Sequence, residues 1–513
     1  MKSPFTKQER TQIQLFGKLI FTNPFSEKRL DIERELLGSR HIQRYQVWHN
    51  LNGEMSVNWN LPVIMELCEH LLKRGLALME KGRFPKDASF LEDWDLLAIY
   101  WLFAKYSGPM SRNIYLETGG EQESALLYDD FRKDFEKGIS GFPRPTPSPY
   151  APEKIFALCH QAHRAFNYTF DFIVGGTTAA ANLRSSVWES IFTHDMGRYY
   201  AQLTAKMNHI TTLITGESGT GKELAAQAIA YSQFIPFLPQ EKRFAFPYHS
   251  CFHPVQLSAM PQSLIESELF GHVKGAFTGA VQNHPGPFED RQPCECVFLD
   301  EIGDIPLDVQ VKLLRLLQTR QFRRVGDDEA KRFEGKVIVA TNKDLKSACR
   351  AGTFRQDLLF RICSDTIQTA PLRTLLDGKE EELRQFVTTL AKRILSAKDA
   401  VPFAEQCSDW IIANLGIDYP WPGNVRELEQ CLRNLLVRGK YLPLLQTEER
   451  AGGDIGEQMA QSGLSADALL EKYVAAWRRR GASILKISQK TGLDRRTVKK
   501  YLQHEEKAPA IPD

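Results

Sequence analysis

Apolar positions along this chain keep three different rhythms. From residue 1 to about 141 they recur in pairs at helical spacing, as in Leu61–Glu80 (LPVIMELCEHLLKRGLALME) and again from Trp94 to Tyr106, so a mostly α-helical N-terminal region is expected. From about residue 173 to 372 short apolar runs alternate with helical patterns. The runs are Thr211–Thr215, Arg243–His249, Cys296–Leu299 and Lys336–Ala340, and Trp188–Phe192 falls on the first helix of this stretch. Strands alternating with helices predict an α/β core, a parallel sheet flanked by helices. After Pro371 the rhythm is helical throughout (Lys379–Leu395, Phe403–Leu415, Val425–Arg438), which gives a small helical lid over residues 373–440. Three short helices are expected at the C-terminal end, over 465–479, 482–490 and 494–503, with Thr491-Gly492-Leu493 as the turn between the last two.

The breaks between these stretches place the boundaries. Phe142–Pro152 (FPRPTPSPYAP) holds five prolines and reads as a stiff linker, and with the helix expected over Pro152–Phe166 it spans residues 142–172. Ala451–Gly463 (AGGDIGEQMAQSG), within residues 441–464, has the composition of a flexible linker, and the tail from Glu505 is expected to be disordered. With 513 residues, three or four domains are expected; 42% hydrophobic and 25% charged residues are ordinary for a soluble globular chain. Nine scattered cysteines without a C-x-x-C pair speak against zinc and against a disulfide framework. The N-terminus lacks a signal-peptide apolar core, and the longest apolar stretch, near Leu97–Ala104, is too short for a bilayer. A cytoplasmic protein without membrane contact is expected. His41 and His49 read as surface or packing residues, and the N-terminal region shows no catalytic constellation.

Chemistry concentrates after the first apolar run. Thr212-Leu213-Ile214-Thr215 stops at Gly216, and Gly216-Glu217-Ser218-Gly219-Thr220-Gly221-Lys222 follows, then the helix-forming Glu223–Tyr231. Strand, G-x-x-x-x-G-K and helix is the order of a phosphate-binding loop: backbone N–H groups turn around an anion, and Lys222 supplies charge. Glu223 stands where Ser or Thr would hold Mg²⁺, so the metal has to be held from elsewhere. Val297-Phe298-Leu299-Asp300-Glu301 ends a second strand in adjacent carboxylates. In a phosphate-loop ATPase the first orients Mg²⁺ and the second polarises the attacking water. Val339-Ala340-Thr341-Asn342 ends the next strand in an amide placed to sense a γ-phosphate; alone it would read as a turn residue. Arg355 and Arg361, six residues apart, fit fingers reaching a neighbouring subunit's nucleotide, although without the other motifs two surface arginines would be the preferred reading. Asn424 is a plausible helix cap, with Arg426 in the first turn, where a bound phosphate would offset the unfavourable helix dipole. Glycines at 271, 275 and 279 make a loop tip that carries Phe277.

GESGTGKE (216–223), ESELFGH-x-KGAFTGA (266–280), FLDEIGD (298–304), VQVKLLRLLQ (309–318), RRVG (323–326), ATN-x-DL (340–345), GTFRQDLLFR (352–361) and WPGNVREL (421–428) occur in this order. Over about residues 173–440 the chain resembles the NtrC-type activators of sigma-54 RNA polymerase, which are AAA+ ATPases. The resemblance implies ATP and Mg²⁺ as cofactors and a ring, usually a hexamer, with ATP between subunits. It implies nucleotide binding by Gly216 through Glu223, magnesium at Asp300, water activation by Glu301, sensing by Asn342 and Arg426, and trans fingers at Arg355 and Arg361. It makes Gly275-Ala276-Phe277-Thr278-Gly279-Ala280 the loop that engages sigma-54, and Glu223 is tolerated in that family. Two departures stand out. The family strand before ESELFGH ends in an asparagine coupled to the glutamate, whereas the nearest match here is Ser250-Cys251 with a longer connection. Ala370-Pro371-Leu372-Arg373 replaces a double proline. The N-terminal region resembles none of the family's sensory modules.

From Lys472 to Lys500 there are ten Lys and Arg against one acid, Asp494, which the overall net charge of +2 conceals. The pattern reads as a helix-turn-helix over 465–505: Ile487 and Val498 at packing positions, Asp494 capping the second helix, Arg495, Arg496 and Thr497 facing base edges, Lys499 and Lys500 on phosphates of double-stranded DNA. A solvated basic helix pair is the plainer alternative. The combined expectation is a DNA-bound, ATP-hydrolysing activator that remodels sigma-54 polymerase holoenzyme from an upstream, enhancer-like site. A DNA-binding AAA+ repressor or scaffold without remodelling is the alternative, and a remodeller of another client is a third class. The intact Gly275–Ala280 motif with Asp300, Glu301, Arg355 and Arg361 argues against the repressor or scaffold, and the Gly275–Ala280 loop with the C-terminal helix-turn-helix argues against the other client.

Overall fold

In the N-terminal region helix α1 (Lys7–Ile20) starts on a reciprocal cap: the Glu9 N–H donates to Thr6 Oγ1 at 3.2 Å and the Thr6 N–H to Glu9 Oε2 at 2.7 Å. The computed structural model describes residues 4–42, 60–114, 121–443 apart from 143 and 146, and part of 465–505. His49, most of linker 441–464, most of the helix expected over 465–479 and the tail past Glu505 lie outside the described residues. After α1 come α2 (Glu27–Leu37), α3 (Leu61–Glu80), α4 (Ala88–Lys105), α5 (Ser107–Ile114) and α6 (Glu121–Phe135). Helix α4 is the axis of this bundle. Its apolar residues have no single face because several neighbours surround it, and Trp94 is fully buried with its Nε1 donating to the Gly138 carbonyl at 3.1 Å.

The proline-rich segment expected to be a linker is strapped onto that axis. Arg144 makes a two-pronged ion pair with the buried Asp95 (2.7 and 2.8 Å) and also donates to the Ile139 carbonyl, while Ser148 Oγ donates to Asp95 at 2.7 Å. The buried carboxylate needs those donors, and the segment that carries Arg144 and Ser148 brings them into reach. Helix α7 (Pro152–Phe172) is six residues longer at its C-terminal end than the pattern indicates, and it belongs to two cores at once. Ile155 and Phe156 pack with the N-terminal helices, whereas Ala165 and Phe170 pack under the central sheet. Phe237 enters the N-terminal core in return, and Phe25 and Ile114 enter the central one. Residues Met1–Lys440 therefore form one compact unit, with Tyr441–Asp513 as a second.

Within the first unit α8 (Thr178–Phe192) and the short α9 (Met196–Arg198) precede a five-stranded parallel sheet. In chain order its strands are β1 (Thr212–Thr215), β4 (Phe252–Gln256), β7 (Cys296–Asp300), β10 (Lys336–Thr341) and β11 (Asp365–Gln368); in space the order is β11-β1-β10-β7-β4. Alternate residues of the inner strands feed two cores. Ile214, Phe298, Ile338 and Ala340 face one, and Leu213, Val297, Leu299 and Val339 the other, so these strands read as continuous apolar runs. Arg243–His249 is corrected: only β3 (Arg243–Phe244) is extended there, and it pairs with β2 (Phe237–Leu238) in a separate hairpin. The strand in the sheet is β4, at its edge, where Pro254 costs no inward ladder bond.

The other elements are helices α10 (Lys222–Tyr231), α11 (Ile265–Phe270), α12 (Leu307–Thr319), α13 (Leu345–Arg350) and α14 (Gln356–Ile362), with two further hairpins, β5 (Gly271–His272) with β6 (His284–Pro285) and β8 (Gln321–Phe322) with β9 (Lys331–Arg332). The helical lid is α15 (Leu372–Leu376), α16 (Glu380–Ile394), α17 (Ala397–Asn414) and α18 (Asn424–Arg438). In the second unit α19 (Ile484–Thr491) and α20 (Arg495–Glu505) meet around Ile487, Val498 and Tyr501. Among the described residues no helix is long and apolar enough to cross a membrane.

Replacing Arg144 by Ala should strand Asp95 and destabilise the first unit by about 3 kcal/mol. Arg144→Met combined with Asp95→Leu should recover most of that loss. Urea unfolding followed by near-ultraviolet circular dichroism measures both, and a wild-type midpoint for Arg144→Ala would contradict the strap.

Candidate functional site

Strand β1 delivers the chain to Gly216, and the loop 216–221 turns it into α10 with positive φ at Gly216 (151°), Gly219 (77°) and Gly221 (87°). At Gly219 there is also no room: a Cβ would stand 2.5 Å from the Gly423 carbonyl oxygen of the lid. Lys222 is 7% exposed, and its Nζ donates to the carbonyls of Gly216 and Glu217, both at 3.1 Å. Burial pulls its ammonium below the ordinary value, and the Glu301 and Asp300 carboxylates oppose that fall. Those two carboxylates therefore lie close enough to act on Lys222 across the sheet. Thr220 Oγ1 pairs with Thr369 Oγ1 at 2.7 Å, which ties the loop to the end of β11. Glu223 sits in the first turn of α10.

Asp300 ends β7, and its Oδ1 accepts from the Glu301 N–H at 3.0 Å. Glu301 has left-handed backbone geometry (φ 56°), and its Oε2 accepts from the Asn342 N–H at 3.4 Å. A non-glycine residue held there is strained, and the strain aims one carboxylate differently from its neighbour. Asn342 follows β10, so loop, carboxylates and amide converge at the C-terminal ends of three adjacent strands. The residue that closes the outer strand in register with Asp300 is Gln256. Ser250 and Cys251 lie on the preceding 3₁₀ turn, with Ser250 Oγ bound to the Pro247 carbonyl, so the Ser250-Cys251 match is corrected to Gln256. Its place ten residues before Glu266 is the signal in the sequence that marks it.

The lid closes on the loop through contacts that the motifs leave partly hidden. Asn424 does not cap α18; Gly423 occupies the cap position. Its fully buried side chain instead accepts from the Leu372 N–H at 2.8 Å and donates to the Ser218 carbonyl (3.0 Å) and Glu217 Oε2 (3.1 Å), so one amide joins lid and loop. Its φ of 53° shows why an asparagine serves here. Arg373 forks onto both oxygens of Glu217 at 2.9 and 2.5 Å, a residue noted in sequence only as a departure from a double proline. Arg373 and then Asn424 hold the Glu217 carboxyl at about 2. This latch is complete above the ordinary glutamate value of 4.5 and is lost as pH falls towards about 2. Arg426 Nη1 reaches Ser218 Oγ at 3.4 Å.

Arg355 and Arg361 stand apart from this cleft. Arg355 forks onto Asp357 at 3.0 and 2.7 Å, and Arg361 donates to the Leu317 carbonyl at 3.1 and 2.6 Å. Neither bonds to the phosphate loop, Asp300 or Glu301 among the described residues.

Gly275–Ala280 forms the tip of the β5–β6 hairpin. Gly275 (φ 85°) and Gly279 (φ 108°) make the turn, the Gly275 N–H donates to the Ala280 carbonyl at 2.9 Å, and Phe277, 37% exposed, rests edge-on against His272. Val325 braces the base, its N–H donating to the Gly271 carbonyl at 2.8 Å and its carbonyl accepting from the Val273 N–H at 3.1 Å. In the second unit Asp494 caps α20 through the N–H groups of Arg496 (2.8 Å) and Thr497 (3.0 Å) and takes the Thr497 hydroxyl as well. Arg495, Arg496, Lys499 and Lys500 are exposed on that helix.

The donor set suits a nucleotide phosphate: glycine-shaped backbone, a buried lysine and a helix N-terminus. Asp300 is a hard oxygen donor of the kind Mg²⁺ takes. The family model described as the sigma-54 interaction domain matches residues 192–368. The chain is 41% identical over 226 residues to the DNA-binding transcriptional regulator NtrC of Rhizobium meliloti, covering 44% of this chain and 42% of that protein. It is 41% identical over 227 residues to the Nif-specific regulatory protein of Klebsiella pneumoniae (44% and 39%), and 39% identical over 266 residues to the anaerobic nitric oxide reductase transcription regulator NorR of Salmonella paratyphi C (51% and 46%). The chain spans less than half the length of these relatives. Residues 192–368 of this chain are thus a sigma-54 interaction domain.

Proposed function

We propose that this chain is an ATP-hydrolysing, sigma-54-dependent transcription activator. The observation that carries the reading is the convergence of Lys222, Asp300, Glu301 and Asn342 at adjacent strand ends, with a glycine-hinged loop projecting from the same domain. Loop 216–221 and Lys222 hold the phosphates, and Arg426, already at Ser218, adds a cation from the lid. Asp300 would hold Mg²⁺, which would supply positive charge against the phosphates. The Glu301 carboxylate takes the proton of the attacking water, and its bond to the Asn342 N–H lets the state of one strand end reach the next. Arg355 and Arg361 serve the nucleotide of a neighbouring subunit in a homo-oligomeric ring, consistent with their bonding to Asp357 and Leu317 rather than to this chain's own loop. The exposed Asp357 pairing of Arg355 exchanges at little cost at such an interface. Phe277 and Thr278 contact sigma-54, and α20 enters the DNA major groove with Arg495 and Arg496 at the bases and Lys499 and Lys500 at phosphates. Thr497 serves the helix cap through its hydroxyl.

Glu301→Gln should retain ATP binding and lose turnover by at least ~10²-fold, the scale of general base catalysis. Steady-state phosphate release beside a nucleotide-binding titration checks this, and turnover at the parental rate would remove Glu301 from the role.

Phe277→Ala and Thr278→Ala should keep ATPase activity within a few-fold and abolish capture of purified sigma-54 in the presence of ADP and aluminium fluoride. Failure of the wild-type chain to capture sigma-54 would sink the activator reading.

Arg495→Ala should weaken a cognate DNA site by about 1–3 kcal/mol while leaving random DNA less affected. Electrophoretic shifts on both DNAs decide it; equal losses would make Arg495 a phosphate contact.

A further inference from the structure

Three arginines gather at the C-terminal end of α12. Arg320 ends the helix, its N–H donating to the Leu316 carbonyl at 2.8 Å, and its backbone is left-handed (φ 60°, ψ 23°). Glycine takes that conformation without strain, so the arginine is kept there at a cost. Its side chain folds inward: the guanidinium lies 4.6 Å from the centre of the Phe333 ring, Nη2 donates to the Gly335 carbonyl, and Nε finds no acceptor among the described residues. Arg361 reaches the same helix end from α14, where Nε and Nη2 both donate to the Leu317 carbonyl, at 3.1 and 2.6 Å. Arg332 stands on β9 directly across from Gln321, the residue after Arg320. The charges there are not balanced within the chain. Burial, then Arg361 and Arg332, pull the Arg320 guanidinium down to about 10, with Glu334 opposing them. His209 beside the cluster is lowered by burial and by the same three arginines, and so stays neutral. Lys336, behind Arg320, is opposed by Asp365. Glu334 is already paired with Arg332 at 3.3 Å. The helix end adds the equivalent of roughly half a negative charge, which leaves roughly one and a half positive charges unanswered.

We infer that Arg320, Arg332 and Arg361 form one receiving site for the polyphosphate of a nucleotide held by a second copy of this chain, with Arg320 as a positioning residue within it. Guanidinium clusters are matched by carboxylate or phosphate. Three guanidiniums present more donors than one carboxylate accepts, whereas a triphosphate spreads its charge over many oxygens. Arg332 is exposed, its side chain 73% accessible, so it can meet such an anion directly. Arg361 is held back by its own chain, because the Leu317 carbonyl takes two of its N–H groups. The like charge of Arg320, fixed behind that carbonyl by Phe333 and Gly335, weakens this hold and favours the outward position of Arg361. Strain at Arg320 thus places a charge where a glycine would leave none. The inference rests on the reading of Arg361 as a residue that serves a neighbouring subunit; the roles of Arg320 and Arg332 go beyond it.

Arg320→Gly suits the left-handed backbone while removing the charge, and Arg332→Ala changes an exposed side chain; near-ultraviolet circular dichroism checks that both keep the fold. Each should lower kcat for ATP hydrolysis by about tenfold, the span of one charge-assisted hydrogen bond, with KM for ATP within about twofold of wild type. Arg320→Lys, which keeps the charge, should recover most of the loss. Mixing tests the second copy. A Lys222→Ala chain brings an intact arginine cluster and a disabled loop, so adding it to Arg320→Gly protein should raise the rate per Arg320→Gly chain. An unchanged kcat in either single variant, or a loss that Lys222→Ala protein does not relieve, would overturn the proposal. A second readout needs no turnover: calorimetric titration of inorganic tripolyphosphate into full-length Lys222→Ala protein should show binding that Arg320→Gly and Arg332→Ala, added together, abolish. Absence of binding, or equal binding in both proteins, would overturn the receiving site. A wild-type chain without ATPase activity would count against the proposed function, and the tripolyphosphate titration would still decide for or against the cluster.

Discussion

The seam between loop and lid is the constraint from which the nucleotide site takes its shape. Gly219 and Gly423 approach so closely that neither a Cβ nor a water layer fits between them. The Val425 N–H donates to the Gly219 carbonyl at 3.1 Å, and Asn424 bonds to loop and lid at once. A phosphate loop alone is a glycine-rich turn with many accessible shapes. Here its outer edge is fixed by backbone and amide contacts from α18, its inner edge by Thr369, and its start by the Arg373–Glu217 pair. The donors that would meet an anion are thus arranged before any anion arrives, which is what electrostatic preorganisation requires.

The same seam makes lid position and loop geometry one variable. A shift of α18 has to move Ser218, Glu217 and Arg426 together, because each is bonded across it. On the opposite side α7 holds the far end of α10 through Arg164, whose guanidinium is buried and meets two carbonyls where the helix leaves its own acceptors unpaired. The nucleotide site is consequently gripped from the lid at its start and from the N-terminal region at its end. An N-terminal region that shared no core with the sheet would have no such grip.

Much of this chemistry was legible in the residues themselves. The phosphate loop, the paired carboxylates after an apolar strand and the Asp494 cap are local: strand, turn and helix lie next to one another in sequence, and spacing alone brings their groups together. The inner strands were equally plain, since burial on both faces leaves no polar position within them. The edge strands were hidden for the converse reason. In β4 and β11 one residue each is buried, Val255 and Ile367, so neither shows an apolar run. The mistaken strand at Arg243–His249 drew its apolar character from packing against α7, as Phe244 does against Phe156.

What the sequence by itself determined is therefore the order of elements, the candidate groups for a phosphate and the glycines that shape two loops, because each depends on neighbours in the chain or on a residue's own backbone freedom. Tertiary structure alone decided the partners of Asn424, Arg373 and Gln256, and the burial of Asp95 under a proline strap. Those features join segments separated by dozens to hundreds of residues, as Glu217 is from Asn424. No local pattern encodes which distant surface will close over a polar group, since that follows from how α7, the sheet and the lid pack against one another.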